Sequence, residues 1–144
     1  QHQAIPAHAA EDSFTILPAL KGVAHRKPLR PFTIHHSING SFAIRRGPWK
    51  LILCPGSGGW SAPRPAQALK NKELPPVQLF NLADDPGEQT NLSAKEPQRV
   101  QELVAQLATA IRNGRTNPGP KQSNEGWPAT FHNRVLSAFP ELRN

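Results

Sequence analysis

Apolar residues alternate with polar ones from Phe32 to Leu53 and then recur at helical spacing from Val100 to Ile111, a change of period that restricts the possible folds sharply. Phe32, Ile34 and His36 alternate with Thr33 and His35, and Phe42 and Ile44 alternate with Ser41, Ala43 and Arg45. Asn39-Gly40 lies between these runs. That pair tolerates positive φ at both positions of a tight turn, so a β-hairpin is predicted. Gly47-Pro48 makes a second turn, after which Trp49, Leu51 and Leu53 alternate with Lys50 and Ile52 as a third strand. The run Val77–Leu82 supplies a fourth strand.

The helical stripe Val100, Leu103, Val104, Leu107 and Ile111 is preceded by Ser93 and Glu96, the spacing of a capping box, and is stopped by Gly114. An apolar stripe must be buried, and the only sizeable partner within the chain is one face of the sheet. The predicted fold is therefore α+β: a small four-stranded antiparallel sheet packed against a C-terminal helix, with long loops and an extended tail. Asp12 or Ser13 caps a short helix through Leu20, which Pro18 limits to about two turns. From Cys54 to Pro76 the chain is rich in Pro, Gly, Ser, Lys and Ala, the composition of a long surface loop. The tail is polar and broken by proline, with Trp127, Phe131, Val135, Leu136 and Phe139 as scattered anchors.

A chain of 144 residues with 16 Pro and 10 Gly suits one modest domain with a small core. It contains no Met and starts at Gln1, which reads as a fragment or a processed product. No stretch approaches the roughly 20 apolar residues of a membrane span, and no signal peptide opens the sequence. The lone Cys54 forms no internal disulfide and no cysteine metal site. The formal charge is +7, and residues 13–72 hold no Asp or Glu while carrying Lys21, Arg26, Lys27, Arg30, Arg45, Arg46, Lys50, Arg64, Lys70 and Lys72. Such a block attracts polyanions, forms a solvated basic face, or docks on an acidic neighbour. Without a helix-turn-helix, zinc finger or aromatic-basic RNA signature, nucleic acid is not the expected polyanion.

Three blocks resemble the formylglycine-dependent sulfatases of the arylsulfatase family. Residues 11–20, Glu-Asp-Ser-Phe-Thr-Ile-Leu-Pro-Ala-Leu, are similar to the helical segment that links the catalytic domain to the smaller C-terminal one. Residues 35–52 hold Ala-Ile-Arg-Arg-Gly-Pro-Trp-Lys-Leu, which looks like the sulfatase hairpin before its third strand. Residues 78–92, with Phe80, Asp85-Pro86, Glu88 and Asn91-Leu92 in order, resemble the strand and turn before the last helix. The resemblance implies a leader or linker at 1–11, a sulfatase C-terminal subdomain at 12–114 and an extended tail at 115–144. It also implies an alkaline-phosphatase-like parent enzyme, periplasmic or extracellular. That enzyme hydrolyses sulfate esters, expectedly of sulfated carbohydrate, and its formylglycine and calcium lie in an N-terminal catalytic domain. By this reading the chain shapes substrate access, holds no cofactor and is inactive alone. The alternative is a stand-alone binding module for sulfated polysaccharide. Neither reading calls for nucleic acid or membrane.

No residue is assigned to catalysis or to a metal. Cys54-Pro55-Gly56-Ser57-Gly58 fails the modification signature, because proline comes one place early and arginine is missing, so Cys54 is read as a small hydrophobe. His35 and His36, adjacent on a strand, point to opposite faces and cannot readily share one ion. In sulfatases loops of this subdomain complete the rim of the active-site cleft, which implies that one of these histidines, with Ser37, contacts substrate. Arg45 and Arg46 suit sulfate by bidentate hydrogen bonding, and equally suit a carboxylate at a domain interface. Asp84, Asp85 and Glu88 lack the spacing of a calcium loop and read as a turn.

Overall fold

The computed structural model of the chain describes residues 5–6, 8–24, 27–123 and 132–143. Arg26, Trp127 and Phe131 lie outside the described residues. Strands β1 (Thr33–His36), β2 (Phe42–Arg46), β3 (Trp49–Ile52) and β4 (Gln78–Asn81) form one antiparallel sheet in the order β1-β2-β3-β4. The helices among the described residues are α1 (Leu17–Leu20), α2 (Pro65–Lys70), α3 (Pro97–Asn113) and α4 (Asn133–Ala138), followed by a 3-10 turn at Pro140–Leu142. The predicted α+β fold, a four-stranded antiparallel sheet with a helix packed on it, is what forms.

The strand register explains the core. Ile34 faces Ile44, Ile44 faces Leu51, and Leu51 faces Leu79, so one apolar row crosses all four strands. Side chains alternate between faces, which puts Phe32, Phe42, Trp49, Leu53 and Val77 on the same side as that row. Val100, Leu103, Val104 and Leu107 of α3 close over it, and with Ile44, Leu51 and Leu79 they form a single buried cluster. Each fully buried leucine contributes about 1.5–3 kcal/mol. At the rim, Arg46 Nη2 meets Glu102 Oε2 at 2.5 Å, and the Arg99 guanidinium lies 4.1 Å over the Trp49 ring. These contacts tie β2 and β3 to the helix.

The turns depart from the expectation in detail. Asn39 is not left-handed; among residues 37–41 only Gly40 has positive φ, 81°. Ser37 N donates to Ser41 O, so the connection is longer than the predicted two-residue turn. It has the pattern of a type I turn closed by a left-handed glycine. Gly47-Pro48 is the tight one: Arg46 pairs directly with Trp49, and Gly47 has φ of 58°, as the first position of a type II′ turn requires.

Beyond β4, Asp85 Oδ2 accepts Thr90 N at 2.8 Å, and Asn91 Oδ1 accepts both Leu79 N and Ser93 N at 2.9 Å. Glu88, rather than Gly87, takes the left-handed conformation, with φ of 55°. The Ser93/Glu96 capping box does not form; α3 starts at Pro97 with Glu96 as its N-cap and no side-chain cap bond. Proline disfavours helical geometry in the residue before it and lacks an N–H, so the helix cannot begin a turn earlier.

Other segments read as loop or tail hold short helices. The 54–76 loop contains α2, and the tail contains α4, whose Val135 joins the core together with Phe139 and Leu142. The Arg134 guanidinium donates to the carbonyls of Asn71, Lys72 and Leu74, which holds the end of the long loop against α4. Helix α1 is shorter than the predicted 12–20 element, because Asp12 is otherwise engaged: its Oδ1 accepts Thr116 N at 3.0 Å. Asn117 Nδ2 donates to Ala10 O at 2.8 Å and to Ser13 O at 3.0 Å, so residues 10–13 are fastened to the segment after α3.

Replacing the fully buried Leu103 by Ala is expected to cost about 2–5 kcal/mol in urea-induced unfolding. Asn91→Ala leaves the Leu79 N–H without its acceptor and is expected to cost about 1–3 kcal/mol. A change below about 0.5 kcal/mol would show, for Leu103→Ala, that the helix-on-sheet core is misassigned and, for Asn91→Ala, that its bond to Leu79 N is.

Candidate functional site

Strand parity divides the residues singled out from the sequence. His35 and Arg45 lie on the outer face of the sheet, away from α3, while His36 and Arg46 lie on the helix-facing side. Ser37 belongs to the turn. Its Oγ donates to Asn39 Oδ1 at 2.6 Å, and the same oxygen of Asn39 accepts Ser41 N at 3.0 Å. His36 Nδ1 is 3.1 Å from Ser37 O, and its ring centroid stands 6.1 Å from that of Phe42. Arg46 is paired with Glu102 of α3, the carboxylate partnership that competes with a sulfate role.

On the outer face the structure adds two groups. Arg45 is directly opposite Lys50, and Lys50 Nζ meets Glu88 Oε1 at 2.6 Å. Arg45 Nε donates to Gly47 O at 3.0 Å, which orients the guanidinium along the strand end. His35 sits diagonal to this pair. Partial desolvation on the sheet lowers the His35 pKa below the ordinary histidine value, followed by repulsion from Lys50, with smaller contributions from Arg45 and His36; Glu88 opposes the shift. His35 is therefore a neutral hydrogen-bonding group at pH 7 beside two fixed cations. Lys50 was readable from the sequence, since a two-residue turn at Gly47-Pro48 dictates the Arg45–Lys50 pair. Glu88 was not, because its approach depends on the path of the 82–91 turn.

The long loop is seated on the hairpin turn. A Cβ added at Gly58 would stand 2.6 Å from Ser37 Oγ and 3.3 Å from Ser41 Cβ, so glycine is needed for this close approach. Asn39, Ser41, Cys54, Gly56, Ala68 and His132 are among the residues lining a cavity of about 240 Å³ beneath it. A second cavity, of about 310 Å³, opens between β1 and α3, with Arg30, Phe32, His36, Phe42 and Ile111 in its wall.

Comparison with known proteins now bears on this geometry. Residues 28–137 match the family model described as the C-terminal region of aryl-sulfatase. The chain belongs to that family. A solved Bacteroides thetaiotaomicron protein, a 6S-sulfatase from work on the metabolism of multiple glycosaminoglycans by a core genetic locus, is similar in fold with a TM-score of 0.58. The two share 27% sequence identity over 75% of this chain and 22% of that protein, so the sulfatase region spans about a fifth of its relative's length.

The described residues do not suit the formylglycine precursor or the calcium that the resemblance implies. The Cys54 thiol is buried and donates to Gly56 O at 3.0 Å, while its carbonyl accepts the Gln78 side chain; neither signature nor access suits a nucleophile precursor. Among the described residues no three His, Cys, Asp or Glu side chains gather as a metal site. Asp84 accepts the Asn81 amide at 2.5 Å. Asp85 is held below the ordinary carboxylate range by the backbone N–H groups of Gln89 and then Thr90, so these two carboxylates serve the turn.

Folding favours neutral His35, so its contribution to stability is present above the unfolded histidine pKa and is lost as pH falls through the lowered folded value. NMR titration of the His35 ring is expected to give a pKa below the ordinary value, and Lys50→Gln to move it part of the way back up. An unshifted His35, or no response to Lys50→Gln, would show that the outer-face cluster is not electrostatically coupled.

Proposed function

We propose that this chain is the part of a sulfatase that shapes substrate access, and that the intact enzyme, a sulfuric ester hydrolase, removes sulfate from sulfated carbohydrate. The formylglycine and the calcium belong, on this reading, to a catalytic domain outside these residues, in an enzyme that works in the periplasm or outside the cell. No residue of this chain then breaks or forms a bond. Its contribution is to bind, orient and exclude competing contacts.

One observation carries the reading. Ile16, Leu17, Leu20 and Val23 are all more than half exposed, in and beside an α1 helix that buries nothing of its own. A contiguous apolar run of this kind is the signature of a surface made to be covered by protein. It lies in the stretch that resembles the link between the two sulfatase domains. The catalytic domain is its natural cover.

The substrate-facing part, on this reading, is the hairpin turn and the outer sheet face. Arg45 offers a planar pair of N–H donors for a sulfate ester, Ser37 a hydroxyl, and neutral His35 a ring nitrogen that donates or accepts. The Lys50–Glu88 ion pair keeps the second cation in register with Arg45. Charge complementarity of this sort raises encounter rate and orientation more than bare affinity. The alternative, a stand-alone module that binds sulfated polysaccharide, uses the same basic face but has no role for the exposed apolar run.

In the enzyme assembled with its catalytic domain, Arg45→Ala and His35→Ala are expected to raise KM for a sulfated oligosaccharide by roughly three- to tenfold with little change in kcat, since the interactions are uniform binding. The 144-residue chain alone is expected to release no sulfate. Leu17→Asp with Leu20→Asp should weaken its association with the catalytic domain. Sulfate release by the isolated chain, or unaltered association in the double variant, would overturn the reading.

A further inference from the structure

Among the described residues the large apolar side chain with the highest exposure is Trp60, 81% accessible, with Ile38 of the hairpin turn next to its loop at 74%. Trp60 does not sit on a loose segment. Leu53, Cys54, Pro55, Gly56 and Gly58 are buried, Gln78 Nε2 donates to the carbonyls of Cys54 and Gly56 at 2.9 and 2.8 Å, and Ser57 Oγ donates to Ser61 O at 2.9 Å. The loop is thus packed down on the hairpin and bonded to β4, while its one aromatic ring stands in water. A rigid base with an outward indole differs from a disordered loop that happens to contain tryptophan.

The composition of the loop indicates what such a ring meets. Residues 53–72 carry no carboxylate, whereas Arg64, Lys70 and Lys72 are present and exposed. Among the described residues these three cations form no ion pair, unlike Arg46, Lys50 and Arg99. An acidic protein surface satisfies the cations but gives no reason for an exposed flat ring. A sulfated polysaccharide satisfies both. The C–H face of a pyranose packs against the electron-rich face of an indole, and sulfate groups on the same or the next sugar reach guanidinium and ammonium donors. Tryptophan also offers this area at small entropic cost, because only two side-chain torsions are fixed on binding.

We propose that Trp60 is a stacking platform for one sugar ring of a sulfated polysaccharide, with Arg64, four residues further along the same loop, supplying a sulfate-binding donor. This rests on the reading of the chain as the substrate-facing part of a sulfatase and names a further specificity-determining residue for it. The ring held at Trp60 is separate from the sulfate ester being cleaved, so the platform selects polymer over monosaccharide.

The test uses the full chain with chondroitin sulfate and heparin hexasaccharides and their desulfated counterparts, followed by calorimetry and by indole fluorescence. Wild type is expected to bind at least one sulfated hexasaccharide. Trp60→Ala should bind it roughly tenfold more weakly at unchanged melting temperature, and Trp60→Phe should recover most of the affinity. Arg64→Ala should weaken the sulfated ligand and leave the desulfated one unaffected. Wild-type binding that Trp60→Ala leaves intact overturns the platform while the basic face still stands as a glycan surface. Failure of wild type to bind any hexasaccharide overturns the platform together with the glycan reading. Intact glycan binding with weakened capture of the catalytic domain by Trp60→Ala assigns the ring to a protein interface, which also overturns it.

Discussion

Burial of the α3 stripe against the row Ile34, Ile44, Leu51 and Leu79 is the contact on which the rest of the architecture depends. Neither partner is stable alone in water. A single amphipathic helix of this length is marginal, and a short meander with one apolar face is little better. Joined, they exclude water from a common layer, and the segments before and after are recruited to its edges. Val135, Phe139 and Leu142 extend the layer from the C-terminal side, and the Arg46–Glu102 pair with the Arg99–Trp49 stack seals one rim. The exposed pair adds little energy.

Once that layer is set, every strand residue has its side decided by parity. A slip of one residue would exchange His35 with His36 and Arg45 with Arg46, turning the outer cluster inward. The fully buried Ile44 and Leu51 make such a slip too costly, so the apolar core specifies the chemistry on the opposite surface. Here the packing of the fold and the composition of the candidate site are one constraint. Neighbours in sequence, Arg45 and Arg46 serve different ends: one lies among cations facing solvent, the other closes on a helix carboxylate.

Alternation and helical spacing made the sheet, its order and the main helix legible, because both periods are imposed by a single core. The two halves of the site fared differently. Arg45 opposite Lys50 follows from a two-residue turn and was within reach, whereas Glu88 arrives through an irregular stretch whose left-handed residue is not the glycine. Ser93 and Glu96 have the spacing of a capping box ahead of α3, yet Pro97 overrules them. Likewise α4 carries too few residues for a period to declare itself, and its burial depends on Arg134 gripping carbonyls 60 or more positions away. Trp60 left no pattern at all, since a lone aromatic among Gly, Ser and Pro says nothing about which way it faces.

The fastening of Ala10, Glu11, Asp12 and Ser13 to Thr116 and Asn117 has a mechanical consequence. Several short bonds between stretches more than a hundred positions apart act as a hinge-pin driven through, so polypeptide arriving at Ala10 does so at a set bearing. A pull on Ala10 is passed through these bonds to the far end of the long helix, and through that helix to the sheet.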